Sequence, residues 1–254
     1  MIIVVDLDDT LLASDGKVGE FNKTMLQKAK EKGHKIVVST LRSFSRCKDI
    51  ANEIEADLIG CFLGNLCVNT NGKVLKANTV PIKNFESVIE QFSKVYDGWI
   101  GFETDEISVI ANKEVAAKYD GVTFVERENV LKMLKNGKVF KLSFECKDDE
   151  NTVLKFKEIA ENLGVDFKFS RGNRYIDLFP KNTDKVNTIK FLREKYAGEK
   201  IVVFGDDKSD KQSIELADVG VCMANGLEEV KMVADIVADT NDNSGVGKVL
   251  ENLI

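Results

Sequence analysis

The chain has 254 residues, 43% of them hydrophobic and 31% charged, and carries a formal net charge of −6. That is enough apolar material for one large soluble domain or two modest ones, and the acidic balance argues against a general nucleic-acid binder. Five cysteines (Cys47, Cys61, Cys67, Cys146, Cys222) without C-x-x-C spacing, and a single histidine, argue against disulfide frameworks and zinc sites.

Met1 leads directly into an apolar strand, without the basic flank and cleavage site of a signal peptide, and no apolar run reaches about 18 residues. A cytoplasmic location with reduced thiols and no membrane contact is expected. Short β-rich runs then alternate with amphipathic stretches. Strands are predicted at Ile2–Asp6 and Lys35–Ser39, and helices at Phe21–Lys32 and Arg46–Ala56. From Val80 the pattern changes. A helix at Phe85–Val95 precedes strands at Trp99–Phe102 and Ile107–Ala111 and a short helix at Asn129–Lys135. A strand at Val139–Cys146, a helix at Asp149–Leu163 and a strand at Asp166–Ser170 follow. The end of the chain returns to alternation, with helix Lys185–Tyr196, strands Lys200–Phe204 and Val219–Met223, and helix Val246–Leu253. The expected fold is α/β: a Rossmann-like parallel-sheet core from residues 1–80 and 176–254, with an α+β domain inserted at 81–175.

Chemistry concentrates where the predicted parallel strands end, the place open α/β sheets put their sites. The first strand runs into Asp6-Leu7-Asp8-Asp9-Thr10, and Lys200–Phe204 runs into Gly205-Asp206-Asp207-Lys208-Ser209-Asp210. Aspartates often begin turns or cap helices. Two acidic clusters abutting buried strands point instead to hard oxygen ligands for Mg²⁺, since close carboxylates repel unless a cation neutralises them. Asp6 and Asp8 have the types and spacing for a nucleophile and an acid/base, because extended alternation turns Leu7 away from both. A third strand end offers Thr40 and Arg42, and the start of a later helix offers Lys185. Taken singly, Thr40 reads as a helix cap and Lys185 as a surface lysine.

Together, in order, these segments resemble the haloacid dehalogenase superfamily, and within it the sugar-phosphatase-like subgroup with a large C2-type cap between the second and third motifs. Asp6-Leu7-Asp8-Asp9-Thr10 resembles the first motif, Val37–Arg42 the second, Ile176–Pro180 followed by Lys185 the approach to the third, and Gly205–Asp210 the fourth. Val221–Gly226 resembles a further segment of the subgroup. The resemblance implies a Mg²⁺-dependent phosphatase acting on a small phosphorylated metabolite through an aspartyl-phosphate on Asp6. It makes Asp8 the acid/base, and Asp6, the Asp8 carbonyl, Asp206 and Asp210 the metal site. Thr40, Lys185 and Asn225 would bind the phosphoryl group, and Arg42 could touch phosphate or leaving group. It also implies that the inserted domain closes over the site and chooses the substrate. Asp9 and Leu41 stand where the family usually has glycine, and Ser209 where it has asparagine.

Two rivals share this residue set. A phosphomutase or phosphotransferase on the same scaffold would deliver the phosphoryl group to a hydroxyl. A phospho-receiver would hold it without turnover, although the long insertion before Lys185 counts against that reading. Trp99, Phe102, Arg127, Lys141, Arg171 and Arg174 are candidate contacts in the inserted domain. Monomer and homodimer are not distinguished.

Overall fold

A computed structural model describes residues 1–81, 83, 85–119, 121–134, 138–170 and 173–254, with the side chain of Ser170 left aside. Elements run in chain order. Strand β1 (Ile2–Val5) is followed by helix α1 (Glu20–Glu31), β2 (Lys35–Ser39), α2 (Phe44–Glu53), β3 (Leu58–Cys61), β4 (Leu66–Val68) and β5 (Val74–Ala77). Next come α3 (Phe85–Val95), β6 (Ile100–Glu103), β7 (Ser108–Ile110), α4 (Lys113–Ala116), β8 (Val122–Phe124), α5 (Arg127–Leu134), β9 (Lys141–Glu145), α6 (Glu150–Leu163), β10 (Asp166–Ser170) and β11 (Tyr175–Phe179). The chain continues through α7 (Val186–Lys195), β12 (Ile201–Gly205), α8 (Lys211–Glu215), β13 (Val219–Cys222), α9 (Glu228–Lys231), β14 (Ile236–Val237) and α10 (Gly245–Leu253).

Two compact units emerge. The first comprises Met1–Arg42, Cys47–Lys76 and Asp184–Ile254, and the second Ser43–Arg46 with Ala77–Thr183. In the first, the strands run in the order β14-β13-β12-β1-β2-β3-β4-β5. The pairs from β14 to β3 are parallel, and β4 turns back antiparallel on β3. All four residues of β1 are buried, because helices cover both faces of a parallel sheet. Ile2 and Val4 face a core shared with Ile189 and Leu192 of α7 and Ile214 of α8. Helices α1 and α10 pack against each other. The central place of β1, between β12 and β2, puts its carboxyl end next to theirs.

The second unit obeys the antiparallel rule. Its sheet has the order β10-β11-β9-β6-β7-β8, antiparallel throughout except for β7 beside β8. Ile100, Phe102, Leu142, Phe144, Ile176 and Leu178 alternate into a core with Phe92 of α3 and Phe156 of α6. Phe92 stacks on Phe144 with centroids 4.2 Å apart and meets Phe156 edge-on at 4.8 Å. The intervening positions of the same strands are polar: Glu103, Lys141, Ser143 and Asp177.

The boundary expected between residues 175 and 176 falls inside β11. That strand is hydrogen-bonded to β10 on one side and β9 on the other, so Ile176–Phe179 lies in the second unit. No helix among the described residues is long and apolar enough to cross a membrane.

Candidate active site

Asp6 is the first residue beyond β1. Its backbone is extended (φ −73°, ψ 162°) and its N–H donates to the Phe204 carbonyl of β12 at 3.1 Å, so the parallel ladder carries it to the sheet edge. Its side chain is buried. Asp8 is also extended (φ −68°, ψ 131°), while Leu7 between them is fully buried, the alternation expected from sequence. The chain then reverses at Asp9, whose φ of 56° lies in the left-handed region that aspartate tolerates better than most residues. The Leu12 N–H closes the turn on the Leu7 carbonyl at 2.9 Å.

Lys185, which reads alone as a surface lysine, is 3% exposed. Its Nζ lies 2.9 Å from Asp6 Oδ1 and 2.8 Å from Asp210 Oδ1. Asp210 in turn accepts the Asp207 N–H at 3.2 Å through Oδ2, which folds the loop after β12 back on itself. Asp206 accepts the Thr10 hydroxyl at 2.7 Å. Asp6, Asp206 and Asp210 each offer a carboxylate oxygen, all within 4.8 Å of one another. Gly205 has no room for a side chain, since a Cβ there would meet the Asp210 Cβ at 2.4 Å.

Burial drives the electrostatics. It pushes the Asp6 carboxyl up to about 8, against the pull of Lys185 and with help from Asp210. It pushes Asp206 up to about 6, opposed by the Thr10 hydroxyl. Burial also opposes the charge on Lys185, but the Asp6 and Asp210 carboxylates outweigh it and hold the ammonium protonated. Fully ionised, three carboxylates and one ammonium leave two net negative charges in a buried site. The donors are hard oxygens whose spread is close to the roughly 4 Å between opposite ligands around Mg²⁺. Charge and chemistry therefore both fit a divalent cation.

The remaining expected residues are distributed around this cluster. Arg42 holds the exposed carboxylate of Asp8 bidentately, with Nε 3.0 Å from Oδ2 and Nη2 on Oδ1. Thr40 is buried and caps no helix. Its hydroxyl accepts the Arg42 N–H at 3.1 Å, a local turn bond that shapes the loop after β2. Asn225 uses its side chain as a clasp, donating to the Asp9 carbonyl at 2.7 Å and accepting the Asn241 N–H at 3.1 Å. Asn241, which donates to the Leu12 carbonyl at 2.9 Å, and Thr10 were not anticipated in these roles. Thr10 had a signal in its place within the acidic motif, whereas Asn241 lies in a loop with none.

In the second unit, Phe102 is core, Trp99 is buried against Tyr175, and Arg127 donates to the Gly98 carbonyl at 2.8 Å. Lys141 is paired with Glu103, Arg174 is exposed, and Arg171 lies outside the described residues.

The sequence profile of haloacid dehalogenase-like hydrolases matches residues 3–250. The 5-amino-6-(5-phospho-D-ribitylamino)uracil phosphatase YcsE of Bacillus subtilis is 24% identical over 261 residues, covering 100% of this chain and 95% of its own. A phosphoglycolate phosphatase of Sulfurisphaera tokodaii is 30% identical over 160 residues, covering 62% of this chain and 69% of its own. Among solved structures, a haloacid dehalogenase-like hydrolase from Bacteroides thetaiotaomicron superposes with a TM-score of 0.83 at 22% identity, over 100% of this chain and 99% of that one.

Proposed function

The chain belongs to the haloacid dehalogenase-like hydrolase family, and from that premise we propose that it is a Mg²⁺-dependent phosphatase that hydrolyses small phosphate monoesters through an aspartyl-phosphate on Asp6. The observation that carries this reading is the buried Asp6 carboxylate at the end of the central strand, 2.9 Å from a buried ammonium and beside two further carboxylates.

An Asp6 carboxylate oxygen attacks phosphorus and the ester oxygen leaves, splitting a very slow displacement into two easier ones. Asp8, on the exposed side of the same turn, protonates the departing oxygen. It then takes a proton from the water that opens the acyl-phosphate. Arg42 orients Asp8 through its two-point contact. Lys185 and the hydroxyl of Thr40 supply donors for the phosphoryl oxygens, where charge spreads in the transition state. Asn225 keeps the Asp9 turn in place and leaves part of its amide for the same group. Asp6, Asp206 and Asp210, with the Asp8 carbonyl, would hold Mg²⁺, whose charge offsets repulsion between nucleophile and substrate.

The substrate class is a small phosphorylated metabolite. The relatives named above argue for including phosphoglycolate and a phosphorylated ribitylaminouracil in any panel. The test is phosphate release from that panel, from sugar phosphates and from p-nitrophenyl phosphate, with Mg²⁺ or EDTA. Wild type should release phosphate only with metal, and Asp6→Asn should lose at least about a thousandfold, roughly 4 kcal/mol of barrier. Release that survives Asp6→Asn sinks the covalent route. Consumption of ester without free phosphate transfers the reading to a phosphotransferase.

A further inference from the structure

Cys47 and Cys61 are both fully buried in the first unit, and their sulfurs lie 3.9 Å apart. A disulfide needs about 2.05 Å between sulfurs, a gap that modest side-chain rotation and a small shift of one backbone segment can close. The two thiols bracket the loop after β2 by different routes. Cys47 stands in the first half of α2, five residues beyond Arg42 along the chain. Cys61 ends β3, and the residues that follow it hold the same loop from the other side. The Phe62 N–H donates to the Arg42 carbonyl at 3.3 Å, and the Leu63 N–H to the Thr40 carbonyl at 3.1 Å. Phe62, Leu63 and Gly64 all have positive φ (50°, 57° and 78°), so this stretch has little slack to absorb a pull on Cys61.

We propose that Cys47 and Cys61 form an oxidisable dithiol, a modification site that takes a peroxide and, once closed, displaces the Thr40–Arg42 loop and slows turnover. In the first step the Cys47 sulfur attacks hydrogen peroxide. An S–O bond forms, the O–O bond breaks, sulfur is oxidised by two electrons and water leaves. In the second, the Cys61 sulfur attacks Cys47. The S–S bond forms, the S–O bond breaks, and the Cys61 proton departs with a second water. The sum is two thiols and one peroxide giving one disulfide and two waters. Because both sulfurs are buried, peroxide gains entry by local opening of the first turn of α2, which makes the reaction slow and selective for a small oxidant. Cys146 and Cys222 have their sulfurs turned to neighbouring backbone carbonyls, Lys147 and Met223, and serve as internal controls.

The effect on turnover rests on the phosphatase reading, but formation of the bond does not. The intact reduced protein is treated with hydrogen peroxide and followed by mass spectrometry and by p-nitrophenyl phosphate hydrolysis with Mg²⁺. Expected are a loss of two hydrogens, a peptide linked through Cys47 and Cys61, and a fall in rate of about tenfold, as a misplaced positioning loop gives, reversed by dithiothreitol. Cys47→Ser and Cys61→Ser should each lose the mass change and keep their rate through the treatment. Cys47→Ala replaces the first if it does not fold. The dithiol is refuted if wild type gains oxygen without losing hydrogens, or if the linked peptide joins other cysteines. A disulfide that forms without slowing turnover overturns the coupling. No hydrolysis by the reduced wild type sinks the phosphatase reading alone, since the mass result stands by itself.

Discussion

Each unit buries ionised side chains, but the two do so in opposite ways. In the second, Glu103 and Lys141 face each other across β6 and β9, and Glu103 Oε2 also accepts the Ser108 hydroxyl at 2.7 Å. Burial alone would raise the glutamate and lower the lysine. Their mutual attraction reverses both, so Glu103 sits below its usual range and Lys141 above. That pair is closed in net charge, one charge of each sign, with Arg46 adding to the pull on Glu103 and Asp177 to the pull on Lys141. In the first unit, one ammonium is shared among carboxylates that outnumber it, and the result is an Asp6 whose charged form is disfavoured. A balanced buried pair organises a sheet, whereas an unbalanced one leaves electrostatic work for something that arrives later. The contrast separates a structural charge from a chemical one more sharply than burial does.

Breaking the closed pair should have the largest effect. Lys141→Met leaves Glu103 buried without its counter-ion, and unfolding in denaturant should reveal a loss of about 3–5 kcal/mol. Adding Glu103→Leu should restore most of it, and a double variant no better than the single one would deny that the loss comes from an unpaired Glu103 charge. The open cluster should respond with the opposite sign. In EDTA, Asp6→Asn removes a poorly tolerated charge and should stabilise the protein by on the order of 2 kcal/mol. A lower Tm for that variant would contradict the strain assigned to Asp6.

The pH dependence follows from the same imbalance. Asp6 and Asp206 have folded values raised to about 8 and about 6, above the ordinary 3.8. The folded chain therefore holds protons that the unfolded chain has already released. Their contribution to stability is complete below about pH 4 and is lost as pH rises to about 8. Metal-free Tm should decline across that window. The rise in Tm on adding Mg²⁺ should grow from pH 5.5 to pH 8, because protons compete for the same oxygens. A Mg²⁺ effect independent of pH would separate the metal from these carboxylates. The smallest change is expected for Asn225→Ala, which loses two hydrogen bonds at the Asp9 turn. It should lose about 1–2 kcal/mol of stability, with turnover reduced less than in Asp6→Asn. A loss of turnover equal to that of Asp6→Asn would make Asn225 more than a clasp.

The parts legible in sequence were those where one residue pattern answers one physical demand. Lys35–Ser39 and Phe85–Val95 have the predicted bounds because a buried strand and an amphipathic helix each impose a strict apolar period. Asp6, Asp206 and Asp210 stood out because two acidic clusters, each following an apolar strand, are explained poorly by turns and caps alone. Lys185 could not be read alone, since burial of a lysine depends on partners 179 residues earlier and 25 later. Tyr175–Phe179 was drawn toward the core by its position before Lys185. Yet its alternation, Ile176 and Leu178 inward with Asp177 between, is that of an antiparallel strand covered on one face. The Leu66–Val68 and Val74–Ala77 strands went unread because the first is short and the second is partly exposed, although Asn71-Gly72 marks the turn between them.

The place of β1 has a consequence for how the molecule comes into being. The strand that carries Asp6 is made long before one of its two neighbours, β12, which begins at Ile201. The Asp9 turn waits for Asn225 and the Leu12 carbonyl for Asn241. Until some two hundred further residues have emerged, Ile2–Val5 is an apolar strand with an open edge, the state in which chains aggregate or recruit chaperones. The geometry around Asp6 is therefore complete only once the chain has been made as far as Asn241.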